Sequence, residues 1–317
     1  MIEIRTLEKI ILFNRKPRID IIGRDNVDLY YNDLCKTYGI EELNLIVCNT
    51  VQKKNSFSLT KQIPFLVLDN YIVELFSILN EDFFKHKDDG YIRSIFSKIL
   101  QEDYFIQGDY NTSLIYLAFC KHWGKEEKLI SNLNDMCYVQ QAFILCHEAI
   151  HYLFYKEKDI KIEQLADVRK AVNRLVDNNF TKDFPILSDE FIEECSCDNL
   201  AAISAIDIGL NYFHYPAIDC AVSIILALCH QYIIFYLSCM SSDRLDHINL
   251  REFALRSTNL RMVITHIVEI MDKDSTDVFM TLNHFYERWH NSIWKLFTKF
   301  CREEILRKPY YTDLLKE

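Results

Sequence analysis

Apolar residues along the chain follow two periods. Before residue 70 they occur in short runs bounded by turn residues: Ile19-Asp20-Ile21-Ile22, Leu43-Asn44-Leu45-Ile46-Val47-Cys48 and Phe65-Leu66-Val67-Leu68. Gly23-Arg24-Asp25-Asn26 follows the first run. Runs of four to six residues rich in β-branched and aliphatic side chains, punctuated in this way, predict strands of a small sheet. From Tyr71 onward the pattern becomes helical, with apolar clusters alternating with charge through residues 91 to 155. Ile162 to Val176 reads as a charged helix, followed by a loop around Asn178, Asn179 and Pro185. Asn259 to Val268 and a longer stretch from Thr276 to Leu306 read as further helices. The expected class is α+β, predominantly helical. Residues 1–70 form its β-rich part, 71–240 a helical core and 241–317 a C-terminal helical region, all within one compact unit.

The stretch from Cys220 to Met240 carries no fixed charge and is long enough to cross a bilayer. His230 and Gln231 sit at its centre, Ser223 and Ser238 lie inside it, and no Lys/Arg cluster flanks it. A helix apolar on every side also suits the centre of a large domain. That reading is favoured here over a membrane anchor.

Within the helical part, Val139 to Tyr155 has no Gly or Pro and contains Cys146-His147-Glu148-Ala149-Ile150-His151. Residues four apart on a helix share a face, one turn apart. His147 and His151 can therefore aim two imidazoles at one cation, with Glu148 beside them to take a proton from a bound water. A third protein ligand is required. Ser188-Asp189-Glu190 reads as a helix start, with a Ser N-cap and acids in the first turn. Further along that helix, Glu194 and Asp198 share a face, and the small Ala201 and Ala202 permit close packing. Glu194 is the expected third ligand, with Glu193 the alternative. Asp198 is expected to accept a hydrogen bond from the non-ligating nitrogen of His147 or His151. Cys195 and Cys197 could ligate zinc, but small buried thiols are the favoured reading.

The pattern His147-Glu148-x-x-His151 followed by Glu194-x-x-x-Asp198-x-x-Ala201 resembles the gluzincin class of zinc metallopeptidases over roughly residues 55 to 202. Within that class it resembles the small intracellular group typified by a phage-exclusion peptidase. The resemblance implies a zincin-like helical core, Zn²⁺ held by His147, His151 and Glu194, Glu148 as general base, and Asp198 as the supporting carboxylate. It also implies that Asn55-Ser56-Phe57-Ser58 and Ile63 to Leu68 form the strand region whose edge aligns a substrate backbone. Two features depart from the class. Cysteines flank Glu194, and a long segment separates the strands from the His-bearing helix. An oxyanion donor is usually His or Tyr in this class. His214, His230, His247, Tyr212 and Tyr215 are open candidates, and none is assigned.

Composition narrows the partners. A formal charge of −10 and the lack of a basic stripe argue against nucleic acid. Eleven cysteines scattered through apolar runs, and an N-terminus without an apolar leader, fit reduced thiols in the cytoplasm. The expectation is a zinc endopeptidase acting on a protein or peptide substrate, with no nucleic acid and no membrane. A membrane-anchored peptidase and a non-catalytic structural zinc site are the alternatives.

Overall fold

A computed structural model describes residues 4–14, 27–60, 62–85, 89–123, 134–179, 187–271 and 277–314. The fold is α+β and predominantly helical. Two helices, α1 (Ile4–Asn14) and α2 (Val27–Tyr38), precede three strands: β1 (Asn44–Cys48), β2 (Ser56–Thr60) and β3 (Ile63–Asp69). Among the described residues ten α-helices follow: α3 (Asn70–Lys85), α4 (Asp89–Gln107), α5 (Tyr110–Trp123), α6 (Asn134–Lys156), α7 (Lys158–Asn179), α8 (Asp189–Tyr212), α9 (Ala217–Ser241), α10 (Leu250–Met271), α11 (Val278–Trp289) and, after a π-helical turn at His290–Trp294, α12 (Lys295–Leu314).

The expected strands at 43–48 and 65–68 are present as β1 and β3. The expected run Ile19 to Ile22 lies outside the described residues. The strand-rich reading of residues 1–70 is corrected at α1 and α2, so the helical part does not begin at Tyr71. In α2, Val27, Tyr30, Tyr31, Leu34 and Cys35 are buried, spaced as one helical stripe. Leu29, 60% exposed, interrupts that stripe in the sequence and hides the period. The segment read as one helix from Thr276 to Leu306 is two helices joined by the π turn. That turn stacks Trp289 on Trp294 at 5.7 Å between centroids.

The sheet has the order β1-β3-β2, with β1 parallel and β2 antiparallel to the central β3. Its strand β2 is therefore an edge. Phe65 to Leu68 of β3 are almost wholly buried, which accounts for their uninterrupted apolar run. The loop between β1 and β2 is fixed by buried polar contacts. Thr50 N–H donates to Asp69 Oδ1 at 2.9 Å. Lys53, in a left-handed conformation, places its ammonium 2.6 Å from Asp103 of α4.

One continuous apolar cluster includes residues of α2, β3, α3, α4, α6, α8, α9, α10, α11 and α12. At its centre lies α9, against which α3, α4, α6, α8, α10 and α11 pack. It is a helix long and apolar enough to cross a membrane, and 78% of its most apolar 18-residue window is buried inside the protein. This is the packing of a core helix. Helices α6 and α8 pack along each other beside it. Ala201, Ala202 and Ala205 are fully buried. Gly209 closes the junction: a Cβ there would lie 2.3 Å from Cys220 Sγ of α9 and 3.3 Å from Val139 Cγ2 of α6. None of the eleven cysteines is in a disulfide, as expected.

Candidate metal centre

Helix α6 carries His147 and His151 on consecutive turns, with Glu148 next to His147. Helix α8 starts where the sequence indicates, with Ser188 as N-cap and its Oγ accepting from Phe191 N–H at 3.1 Å. Packing α8 against α6 brings Glu194 to both imidazoles. His147 Nε2 is 3.1 Å from His151 Nε2. Glu194 Oε2 is 3.4 Å from His147 Nε2, and its Oε1 is 3.3 Å from His151 Nε2. A tetrahedral zinc site with bonds near 2.0–2.1 Å has edges of about 3.3 Å. The three donor groups are thus spaced as ligands of one ion, and they can hold a metal.

The far sides of the rings set their tautomers. His147 Nδ1–H donates to Asp198 Oδ1 at 2.9 Å, as expected of Asp198. His151 Nδ1 faces Glu193 Oε1 at 3.4 Å, and Cys197 Sγ lies 3.5 Å from the same nitrogen. In the tautomer these contacts favour, each neutral imidazole would present its Nε2 lone pair inward. This separates the two candidate ligands on α8. Glu194 meets the inward nitrogens, whereas Glu193 and Cys197 sit behind His151 and orient it. Glu193 is in turn held by Lys161 Nζ at 2.6 Å.

Arg256 of α10 completes the centre. Its Nε and Nη2 donate to the two oxygens of Asp198, the latter at 2.9 Å, and its Nη1 reaches Glu194 Oε2 at 3.1 Å. Around the two imidazoles, the bonded carboxylates Glu193, Glu194 and Asp198 outnumber the two fixed cations Lys161 and Arg256. A net negative surround favours a bound cation.

The same surroundings shift the ionisation of His147, Glu194 and Asp198. Burial opposes charge on His147, but hydrogen bonds to Asp198 and Glu194 outweigh it and hold the pKa up to about 10. Burial likewise opposes charge on Glu194. Hydrogen bonds from His147 and His151 and the field of Arg256 nevertheless keep it well below the usual carboxylate range. For Asp198, burial is again overcome by Arg256 and His147, and its carboxyl is held low.

Glu148 does not point into the cluster with its neighbours. Its Oε2 accepts from Phe57 N–H of the edge strand β2 at 3.0 Å. The centre opens onto a cleft of about 970 Å³, lined by β2 at Ser56 and Phe57, by Tyr155, and by Tyr232, Phe253 and Arg244 on the opposite side. Of the five oxyanion-donor candidates, His247 lines this cleft. His230 is fully buried against Phe76, and Tyr212 donates to Asp33.

The structure thus brings together His147, His151, Glu194 and Asp198, while Glu148 bonds to the edge strand beside them. The sequence reading missed Arg256, Lys161 and the Phe57 amide. A single Arg in the helical pattern of 250–271 gives no local signal, and a backbone amide gives none at all. Glu193 was seen, but as a ligand candidate and not as the partner of His151.

No protein-family model matches the chain, and comparisons with curated proteins and with solved structures find no match.

Proposed function

We propose that this protein is a zinc-dependent endopeptidase that hydrolyses a protein or peptide substrate. The observation that carries the reading is the convergence of His147 Nε2, His151 Nε2 and the Glu194 carboxylate at 3.1–3.4 Å, with Glu148 beside them at the mouth of a cleft. Two neutral imidazoles and one carboxylate, each steadied by an outer hydrogen bond, are a donor set suited to zinc with one position left for water. Bound there, the ion would lower the pKa of that water towards neutrality and polarise a substrate carbonyl.

The chain's own residues supply the rest. Glu148 would accept the proton of the attacking water and return it to the leaving amine. Asp198 and Glu193 hold the two imidazoles in the ligating tautomer. Arg256 disperses charge on Asp198 and Glu194. The edge strand β2, which flanks the cleft, offers backbone groups to an extended peptide.

The test is metal content together with cleavage. Purified protein should contain one zinc per chain by elemental analysis and should cleave members of a peptide panel. Glu148→Gln should keep the zinc and lose cleavage by about 10³-fold or more, in keeping with a general base. A variant that still cuts, or a wild-type protein free of divalent metal, would remove the basis of this reading.

A further inference from the structure

We infer that the backbone N–H of Phe57 is a positioning group for Glu148: an edge-strand amide, turned away from its own sheet, holds the proposed general base at the mouth of the cleft. This rests on the peptidase reading for its functional meaning, but not for the contact itself.

Among the described residues, one side of β2 has no strand partner. In an antiparallel pair, residues alternate between those whose N–H and C=O face the partner strand and those whose groups face away. Phe57 is registered against Leu66, yet its N–H goes to Glu148 Oε2 at 3.0 Å. Phe57 therefore occupies a non-hydrogen-bonded position, and both its backbone groups point off the edge. Leu59, two residues on, has the same orientation.

The strand and the helix meet along one stripe. Glu148, Tyr152 and Tyr155 are spaced four and three residues apart, on the same face of α6. The Phe57 ring packs on Tyr152 and Tyr155 at centroid distances of 5.1 and 5.9 Å. Tyr152 is itself anchored by donating to Glu42 at 2.7 Å. One residue of β2 thus makes an aromatic contact with two positions of the stripe and a hydrogen bond to the third, which locks the register of strand on helix. Glu148 needs such a hold. It lies about 100° around the helix from His147, and its three side-chain torsions would otherwise leave the carboxylate free to swing. With the Phe57 N–H taken, an added peptide strand would find the Phe57 carbonyl and both backbone groups of Leu59 as its bonding sites on this edge.

The contact is tested by amide hydrogen exchange, residue by residue, on ¹⁵N-labelled protein. An outward amide on an edge strand exchanges fast unless something accepts from it. The Phe57 amide should be protected in the wild type and in Glu148→Gln, whose side-chain carbonyl still accepts. In Glu148→Ala it should exchange at least tenfold faster, with the β3 amides unchanged. Equal exchange in wild type and Glu148→Ala would overturn the inference.

The functional arm compares Phe57→Ala with Phe57→Pro. Both lose the ring, but only the second loses the N–H, and proline is tolerated on the open side of an edge strand. With a quenched-fluorescent pool of random peptides, kcat should fall at least tenfold further in Phe57→Pro than in Phe57→Ala, with KM alike. Equal kcat values would overturn the positioning role. If the wild type cleaves nothing in the pool, the peptidase reading fails, and the exchange arm alone upholds or overturns the contact.

Discussion

At the scale of single residues, the centre is governed by what lies behind each ligand. Asp198 is fully buried, bonded to His147 on one side and to Arg256 on the other. Replacing it by Ala removes the acceptor that fixes the His147 tautomer and leaves the Arg256 guanidinium with Glu194 as its carboxylate partner. Zinc affinity is expected to fall about 10–100-fold, the usual cost of losing such a partner, as measured by competition with a chelator. A weaker effect from Asp198→Asn than from Asp198→Ala would agree, because an amide oxygen still accepts. Proton competition gives a second expectation. His147 in the metal-free protein has its pKa raised from 6.5 to about 10. Its proton therefore stabilises the metal-free fold fully below pH 6.5, and this contribution disappears as pH rises through about 10. Zinc must displace that proton, so zinc affinity should rise by up to about tenfold per pH unit between 6.5 and 10. Titrations at three pH values in that window check this, and a flat profile would contradict it.

At the scale of elements, α9 and its junction with α8 decide the packing. His230 is fully buried in α9, its ring nitrogens have no hydrogen-bond partner among the described residues, and burial pushes its pKa down to about 3. The unfolded chain takes up a proton near pH 6.5 that the folded chain refuses, so stability from this residue is present above pH 6.5 and lost as pH falls towards 3. The slope approaches about 1.4 kcal/mol per pH unit. His230→Leu removes both the unpaired nitrogens and the acid-linked loss. Its urea midpoint should change less between pH 7 and pH 5 than that of the wild type. At Gly209 the prediction concerns space. An added Cβ meets Cys220 Sγ at 2.3 Å, so Gly209→Ala should cost about 1–3 kcal/mol by overpacking. Gly209→Ala combined with Cys220→Ala should recover part of that loss, and simple additivity in a double-mutant cycle would contradict the close contact.

The helical stripe of α6 and the N-cap of α8 were legible in the sequence because both are local. Ligand spacing follows from 3.6 residues per turn, and a Ser followed by two acids marks a helix start. The stripe of α2 was not legible, since the exposed Leu29 breaks its pattern. Nor was the central place of α9, because an uncharged run of that length satisfies a bilayer and a protein core equally well.

At the scale of the whole molecule, the candidate metal centre is assembled from four helices. His147 and His151 come from α6, Glu194 and Asp198 from α8, Arg256 from α10, and Lys161 from α7. An ion bound at this junction would tie α6 to α8 and act on the folded state alone. Its removal should then lower stability by about 4 kcal/mol at a zinc concentration a thousand times the dissociation constant. Thermal melts with and without a chelator measure this. Unchanged melting on stripping would separate the centre from the fold.

The sequence by itself determined the pair of imidazoles, the acid between them and the downstream carboxylates that share a helical face, since these relations lie within single helices and follow from helix geometry. It also determined the predominantly helical class and two of the three strands. Only the tertiary structure set Glu194 facing both Nε2 atoms with Glu193 behind His151, and only it brought Arg256 behind Asp198 and the Phe57 amide against Glu148. Those choices depend on how α8, α10 and an edge strand are placed around α6. That placement is fixed by the packing of the apolar core as a whole, which no local period encodes.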